Sequence, residues 1–224
     1  MTTPRLLVVT HTGGKRPEWM ALCEASVKPC LPEDAAHVKV LVEGHELFAA
    51  ARLGSMATAE FVAFVDDDDL LVGDPIRQCL AALDANPTAG IAFTDEERIN
   101  EEGEVMRSPA RPQNLKYSDF LMGPSYVAHH VCVYRTSMVD VAAIAAVAGD
   151  STNAIEWLMA AHTAFVHGAV YVPSVGYQWR QHGDNKHKLP QHREQFLTRF
   201  EVYRNYLRSM QNKKAGPIPV FPIN

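Results

Sequence analysis

The stretch Phe61-Val62-Ala63-Phe64-Val65-Asp66-Asp67-Asp68-Asp69 decides the fold. Five apolar residues of aromatic, small and β-branched type, stopped by four acids, read as a buried strand that ends abruptly in a charged turn. Strands buried on both faces belong to parallel sheets covered by helices, and ligands of such sheets bind beyond the carboxyl ends of the strands. Two carboxylates about 4 Å apart repel by roughly 4 kcal/mol at an effective dielectric near 20. Four in a row must therefore be exposed, protonated or neutralised by a cation. A divalent ion of the Mg2+ or Mn2+ type suits oxygen ligands, and protein sites hold it through one or two carboxylates while substrate phosphates complete the shell. That pattern implies a diphosphate partner. The alternative is a solvated acidic loop leading to the next helix, for which Asp74 before Pro75 already supplies a start.

Outward from this strand, short apolar runs alternate with amphipathic stretches. Upstream, residues 5–10 read as a first strand, 17–28 as a helix opened by Pro17, 38–42 as a second strand and 46–57 as a second helix. Downstream, a helix runs from Asp74-Pro75 to about residue 86, closed by Pro87, and residues 90–94 form a fourth strand. Successive βαβ units predict an α/β fold with a Rossmann-like, mostly parallel sheet flanked by helices. Past Asp95 the pattern changes to a hairpin over residues 96–105, turning at Asn100-Glu101-Glu102-Gly103, and a polar loop at 108–113. The second half predicts a strand at 131–134, alanine-rich helices at 137–148 and 153–164, and two short strands at 169–172 and 177–180. Residues 191–210, with Phe196, Phe200, Tyr203 and Leu207 at helical spacing, read as a packing helix. The proline-rich tail at 216–222 is expected to lie extended.

Composition sets the outer limits. The chain has 224 residues, 47% hydrophobic and 21% charged, which predicts an ordinary globular protein with a buried core. Twenty-one basic and 26 acidic residues leave a net charge of −5, which disfavours a protein that binds by neutralising nucleic-acid phosphates. The apolar run near the start, residues 6–9, is far shorter than a signal-peptide core or the about 20 residues of a membrane span. Cys23, Cys30, Cys79 and Cys132 form no CxxC pair and read as reduced core residues, so a cytoplasmic protein is expected. The loop Thr10-His11-Thr12-Gly13-Gly14-Lys15-Arg16-Pro17 matches neither GxxxxGK[ST] nor GxGxxG, which removes the kinase and dinucleotide signatures.

The order of these elements resembles the family 2 glycosyltransferases, an inverting group with the GT-A fold. Ala51-Arg52-Leu53-Gly54 stands where the family has Ala-Arg-Asn-x-Gly, and Asp66 to Asp69 where it has Asp-x-Asp-Asp. Phe93-Thr94-Asp95-Glu96-Glu97-Arg98-Ile99-Asn100-Glu101-Glu102-Gly103 is similar to its acidic hairpin segment, and Tyr177-Gln178-Trp179-Arg180-Gln181-His182 to its late Tyr-x-x-Arg-x-His segment. The resemblance covers roughly residues 5–185. It implies a domain over residues 1–189, with a nucleotide-binding half of about 1–106 and an acceptor half of about 107–189 containing a small antiparallel portion. Residues 190–224 would form a C-terminal helix and tail.

From the resemblance follow a nucleotide diphosphate sugar as donor and a divalent metal as cofactor. It gives Thr10, His11, Arg16, Glu43, Arg52, Asp66, Asp67 and Arg180 as nucleotide-sugar contacts, and Asp66, Asp68 and His182 as metal ligands. Glu43 stands where the family has an Asp on the nucleotide base. Sugar transfer to an alcohol also needs a base for the hydroxyl proton. Ala154-Ile155-Glu156-Trp157-Leu158 resembles the family's Glu-Asp-Trp segment and points to Glu156, with Asp95 as second candidate or as lining of the sugar pocket. An isolated acid in the first turn of a helix has a plain dipole explanation, and Trp157 either stacks on a ring or fills the core. His129, His130 and His187 read equally well as surface or satisfied core residues.

The expected activity is metal-dependent, inverting transfer of a hexosyl-type group to an acceptor hydroxyl. Saccharide, lipid-linked sugar, protein and modified nucleic acid base all remain acceptors, and a homo-oligomer is compatible with the tail. The rivals are a nucleotidyltransferase, for which Lys15 alone provides thin support, and a domain that binds nucleotide sugar without turnover.

Overall fold

The computed structural model describes residues 3–42, 47–107, 130–148, 155–183, 185, 190–213 and 220–221. Glu43, His129, His187 and the polar loop at 108–113 lie outside the described residues.

Strand β1 (Leu6–Thr12) lies at the centre of the N-terminal part of the sheet. It pairs in parallel with β2 (Ala35–Leu41) on one side and with β3 (Phe61–Phe64) on the other. Helix α1 (Pro17–Val27) connects β1 to β2, and α2 (Phe48–Ser55) lies between β2 and β3. Because β2 and β3 lie on opposite sides of β1, the carboxyl ends of β1 and β3 border a topological switch point, the position at which open α/β sheets bind ligands in a crevice. Asp66 follows directly upon it.

After β4 (Leu70–Leu71) and α3 (Pro75–Ala85) come β5 (Ile91–Ile99), β6 (Val105–Arg107) and β7 (Cys132–Arg135). Helices α4 (Val141–Ala148) and α5 (Ile155–His167), strand β8 (Ala169–Arg180), helix α6 (Pro190–Lys213) and strand β9 (Val220–Phe221) complete the described residues. The sheet runs β2-β1-β3-β7-β5-β8-β4, with β6 on β5 and β9 on β8. β7 is antiparallel to both β3 and β5, so the long strands around it point one way. The expected α/β architecture, a mostly parallel Rossmann-like sheet flanked by helices, is the one observed.

Period-two alternation explains how both faces are covered. Phe61, Ala63 and Val65 pack with Leu6, Val8, Cys23, Ile76 and Leu83 under α1 and α3. Val62 and Phe64 pack with Val9, Leu53, Trp157 and Tyr203 under α2, α5 and α6. Burying each such Phe or Val contributes about 1.5–3 kcal/mol. All four cysteines are free and buried, as expected of reduced core residues.

Two details depart from expectation. The two short strands at 169–172 and 177–180 are one strand, β8, which pairs with β5 along its length. Pro173 interrupts the ladder without ending it, because the register shifts between Phe93 and Asp95 and again before Glu96, where a proline needs no N–H partner. The short β4 was also not anticipated. It follows the aspartates at once and pairs antiparallel with Tyr177 and Gln178, which carries the end of β8 beneath the acidic turn.

Candidate active site

Each of the four aspartates has its own partner. Asp69 is 1% exposed; its Oδ1 accepts the backbone N–H of Arg180 at 2.7 Å and its Oδ2 the Tyr177 hydroxyl at 2.8 Å. It anchors the turn to β8. Burial, then the charges of Asp68 and Asp66, push its carboxyl well above the usual range despite these two donors. Asp68 presents Oδ2 to His182 Nε2 at 2.9 Å and to Arg16 Nη1 at 3.3 Å. Its carboxyl is also raised, by burial first and Asp66 second, against the His182 bond. Asp67 accepts from the Thr12 hydroxyl, and burial again shifts it upward. Asp66 pairs with Arg52, and His130 Nε2 lies 3.9 Å from its other oxygen.

The cations are held by aromatic surfaces. Arg52, buried on α2, lies between the rings of Phe48 and Phe64, and its Nε is 3.0 Å from Glu156 Oε1. Glu156 occupies the first turn of α5. Arg16 and Arg180 both sit over Trp19, at 5.1 and 5.3 Å, and the His182 ring is tilted against the same indole at 5.0 Å. His130 stacks on Tyr177 with centroids 4.5 Å apart. His11 is buried against Phe48 and Phe64, and burial together with Arg52 lowers its pKa to about 4, which makes it a neutral ring at neutral pH.

The structure therefore gathers Arg16, Arg52, Asp66, Asp67, Asp68, Glu156, His182 and the backbone of Arg180 around the acidic turn. His11 packs against Phe48 and Phe64, the two rings that flank Arg52. Thr10 faces the other side of the sheet, where its hydroxyl meets His37 Nε2 at 2.9 Å and approaches Cys23. Asp95 has a separate environment, accepting the Tyr171 hydroxyl at 2.6 Å. The Arg180 guanidinium is turned to the backbone, with Nε 2.8 Å from Asp68 O and Nη1 2.7 Å from Glu101 O and 3.2 Å from Asn100 O. It ties the β5–β6 hairpin to the acidic turn. Trp157 fills the core against Phe200 and Tyr203. Sequence reasoning missed Trp19, Tyr177 as the Asp69 donor, and Asn185, whose Oδ1 accepts the His182 N–H at 2.7 Å. Only Tyr177 carried a local signal, as part of the Tyr-x-x-Arg-x-His segment.

Of the expected metal ligands, Asp68 and His182 meet, while Asp66 is directed to Arg52. Among the described residues no three His, Cys, Asp or Glu side chains converge on one point. The donor chemistry nevertheless fits a small divalent ion. A carboxylate and an imidazole stand side by side there, joined in this structure by the 2.9 Å hydrogen bond between Asp68 Oδ2 and His182 Nε2.

No family model matches the sequence. Over 86 residues, 38% of its length, the chain is 33% identical to the uncharacterized protein y4gI of Sinorhizobium fredii, and it spans 9% of that curated relative. Among solved structures it is similar to S. aureus TarS 1-349 in complex with UDP-GlcNAc, with a TM-score of 0.62 and 12% identity over 93% of this chain and 71% of that one. The complex of the same segment with UDP gives a TM-score of 0.59 and 11% identity over 93% and 70%. At such identities the likeness shows a shared fold. Among the described residues no helix is long and apolar enough to cross a membrane.

Proposed function

We propose that the chain transfers a sugar from a nucleotide diphosphate donor to an acceptor hydroxyl, with inversion and with a divalent metal. The observation that carries this reading is the row of paired carboxylates at the carboxyl end of β3, on the switch-point crevice, with Glu156 held across from it through Arg52. A TarS structure of the same fold holds UDP-GlcNAc, which makes UDP-sugars the first donors to assay.

In this reaction the acceptor oxygen attacks the anomeric carbon, the bond from that carbon to the β-phosphate oxygen breaks with its electron pair on the diphosphate, and the hydroxyl proton passes to the Glu156 carboxylate. Asp68 and His182 would hold a divalent cation, which would supply positive charge for the leaving diphosphate. Arg16 adds positive charge on the same side. Buried Asp69 keeps the turn in place from below, and Trp19 orders Arg16 and His182.

A panel of UDP-, GDP- and dTDP-sugars with Mn2+ tests the reading. Diphosphate release that EDTA abolishes supports it. Asp68→Asn should remove metal-dependent nucleotide binding, and Glu156→Gln should retain measurable binding while transfer is lost. Thermal stabilisation by nucleotide without any diphosphate release identifies a binding module instead, and pyrophosphate release from a nucleoside triphosphate identifies a nucleotidyltransferase.

A further inference from the structure

Arg52 is a buried cation shared between two half-sites. Its guanidinium is 1% exposed and clamped between the Phe48 and Phe64 rings at 4.6 and 4.7 Å, so it has no room to follow a moving partner. Nη2 meets Asp66 Oδ1, and Nε lies 3.0 Å from Glu156 Oε1. The two carboxylates are less enclosed, with side chains 32% and 20% exposed. They also arrive from different directions, Asp66 from the end of β3 and Glu156 from the first turn of α5, about ninety residues later in the chain. A charge as deeply buried as that of Arg52 must keep an anion against it, since an unpaired buried charge is strongly unfavourable. When one carboxylate is drawn away, the other takes up the interaction.

We infer that Arg52 is a positioning residue that couples the donor side of the crevice to Glu156: occupation of Asp66 by an incoming donor shifts the Arg52 charge onto Glu156 and holds that carboxylate in place. The inference rests on the proposed function, in which Glu156 takes the proton, and on the family resemblance, which makes Asp66 a donor contact. It adds an order of events, because the hold of Arg52 on the base, already present at 3.0 Å, tightens when a donor draws Asp66 away. Coupling of this kind is reciprocal, so Glu156 must influence donor binding without touching the donor.

Two measurements on the full chain test it. The first needs no ligand: Asp66→Asn and Glu156→Gln are compared singly and together by chemical denaturation. The double variant should lose more stability than the sum of the singles, because only it leaves Arg52 with neither carboxylate, and the excess should vanish in an Arg52→Gln background. Additive effects overturn the bridge. The second is calorimetric binding, with MnCl2, of whichever of UDP, GDP and dTDP the unmodified chain takes up. Glu156→Gln should weaken that binding about fivefold or more, and the same substitution made in Arg52→Gln should leave affinity unchanged. Affinity that is unchanged or increased in Glu156→Gln overturns the coupling while leaving sugar transfer standing. A chain that binds none of the three nucleotides overturns the donor reading and the donor coupling together, and the stability cycle still decides whether Arg52 is shared.

Discussion

Tyr177 Oη stands 2.8 Å from Asp69 Oδ2 and accepts the backbone N–H of Asp66 at 3.2 Å on the same oxygen. One phenol on β8 thus fixes both ends of the acidic turn that follows β3. Tyr177→Phe removes a donor from a buried carboxylate and an acceptor from a backbone N–H, and should cost about 1–3 kcal/mol in urea unfolding at neutral pH. The deficit should shrink as the pH falls through the folded pKa of Asp69, which burial raises, because the protonated carboxyl no longer carries a buried charge. A deficit that is the same above and below that pKa would show that the phenol matters only by packing.

His11 and the aspartates should give stability opposite slopes with pH. The folded His11 titrates near 4 against an ordinary value of 6.5, so between these values the unfolded chain binds a proton that the folded one does not. Stability from His11 is complete above 6.5 and falls as the pH drops through about 4, by about 3 kcal/mol in all. His37 and His162, also lowered by burial, add the same sign. Asp67, Asp68 and Asp69 are raised above 3.8, so their contribution is complete below that value and is lost as pH rises through their folded pKa values. Between pH 4 and 7, His11→Gln should lose part of the stability that rises with pH, and Asp69→Asn should lose part of the stability that falls with pH.

Gly176 marks a close approach of β8 to its neighbours. A Cβ there would lie 2.5 Å from Thr94 Oγ1 and 2.6 Å from Pro75 Cβ, the latter part of a rigid ring at the start of α3. Gly176→Ala should destabilise by about 1–3 kcal/mol, and Thr94→Ala should recover only part because Pro75 cannot move aside. Gly13→Ala, with no heavy atom within 4 Å of the new Cβ, provides the control and should leave the melting temperature nearly unchanged.

Trp157 links the candidate base to the C-terminal helix. It is 1% exposed, 4.7 Å from the Phe200 ring and stacked on Tyr203 at 6.3 Å, one residue after Glu156. Trp157→Ala should cost about 3–5 kcal/mol in equilibrium unfolding. Leu207→Ala, deep in the same α5–α6 contact, should cost about 2–5 kcal/mol. An unchanged melting temperature in either variant would show that α6 does not brace α5.

Much of this molecule was legible in its sequence, for reasons that differ from one element to another. The run at 61–65 could be read because burial on both faces demands apolar residues at every position, and the strand stops where four charges make further burial too costly. The hairpin at Asn100 to Gly103 could be read because turns depend on neighbouring residues, and the chain does turn there, with Gly103 at φ 91°. The continuity of β8 could not, since a proline in mid-strand is tolerated only where the register of β5 shifts beside it, and that shift belongs to the pair of strands. Trp19 could not either: an indole on a first helix acquires meaning only when Arg16, Arg180 and His182 arrive around it.

The amino-acid sequence by itself determined that a buried strand would deliver four carboxylates to one edge of an α/β sheet, because apolar periodicity and charge are properties of adjacent residues. Only the tertiary structure decided which partner each carboxylate meets. Asp66 found Arg52, Asp68 found Arg16 and His182, and Asp69 turned inward to Tyr177 and the Arg180 backbone. These pairings join residues up to 114 positions apart, and their strength depends on how much water the surrounding fold excludes, which no local pattern encodes.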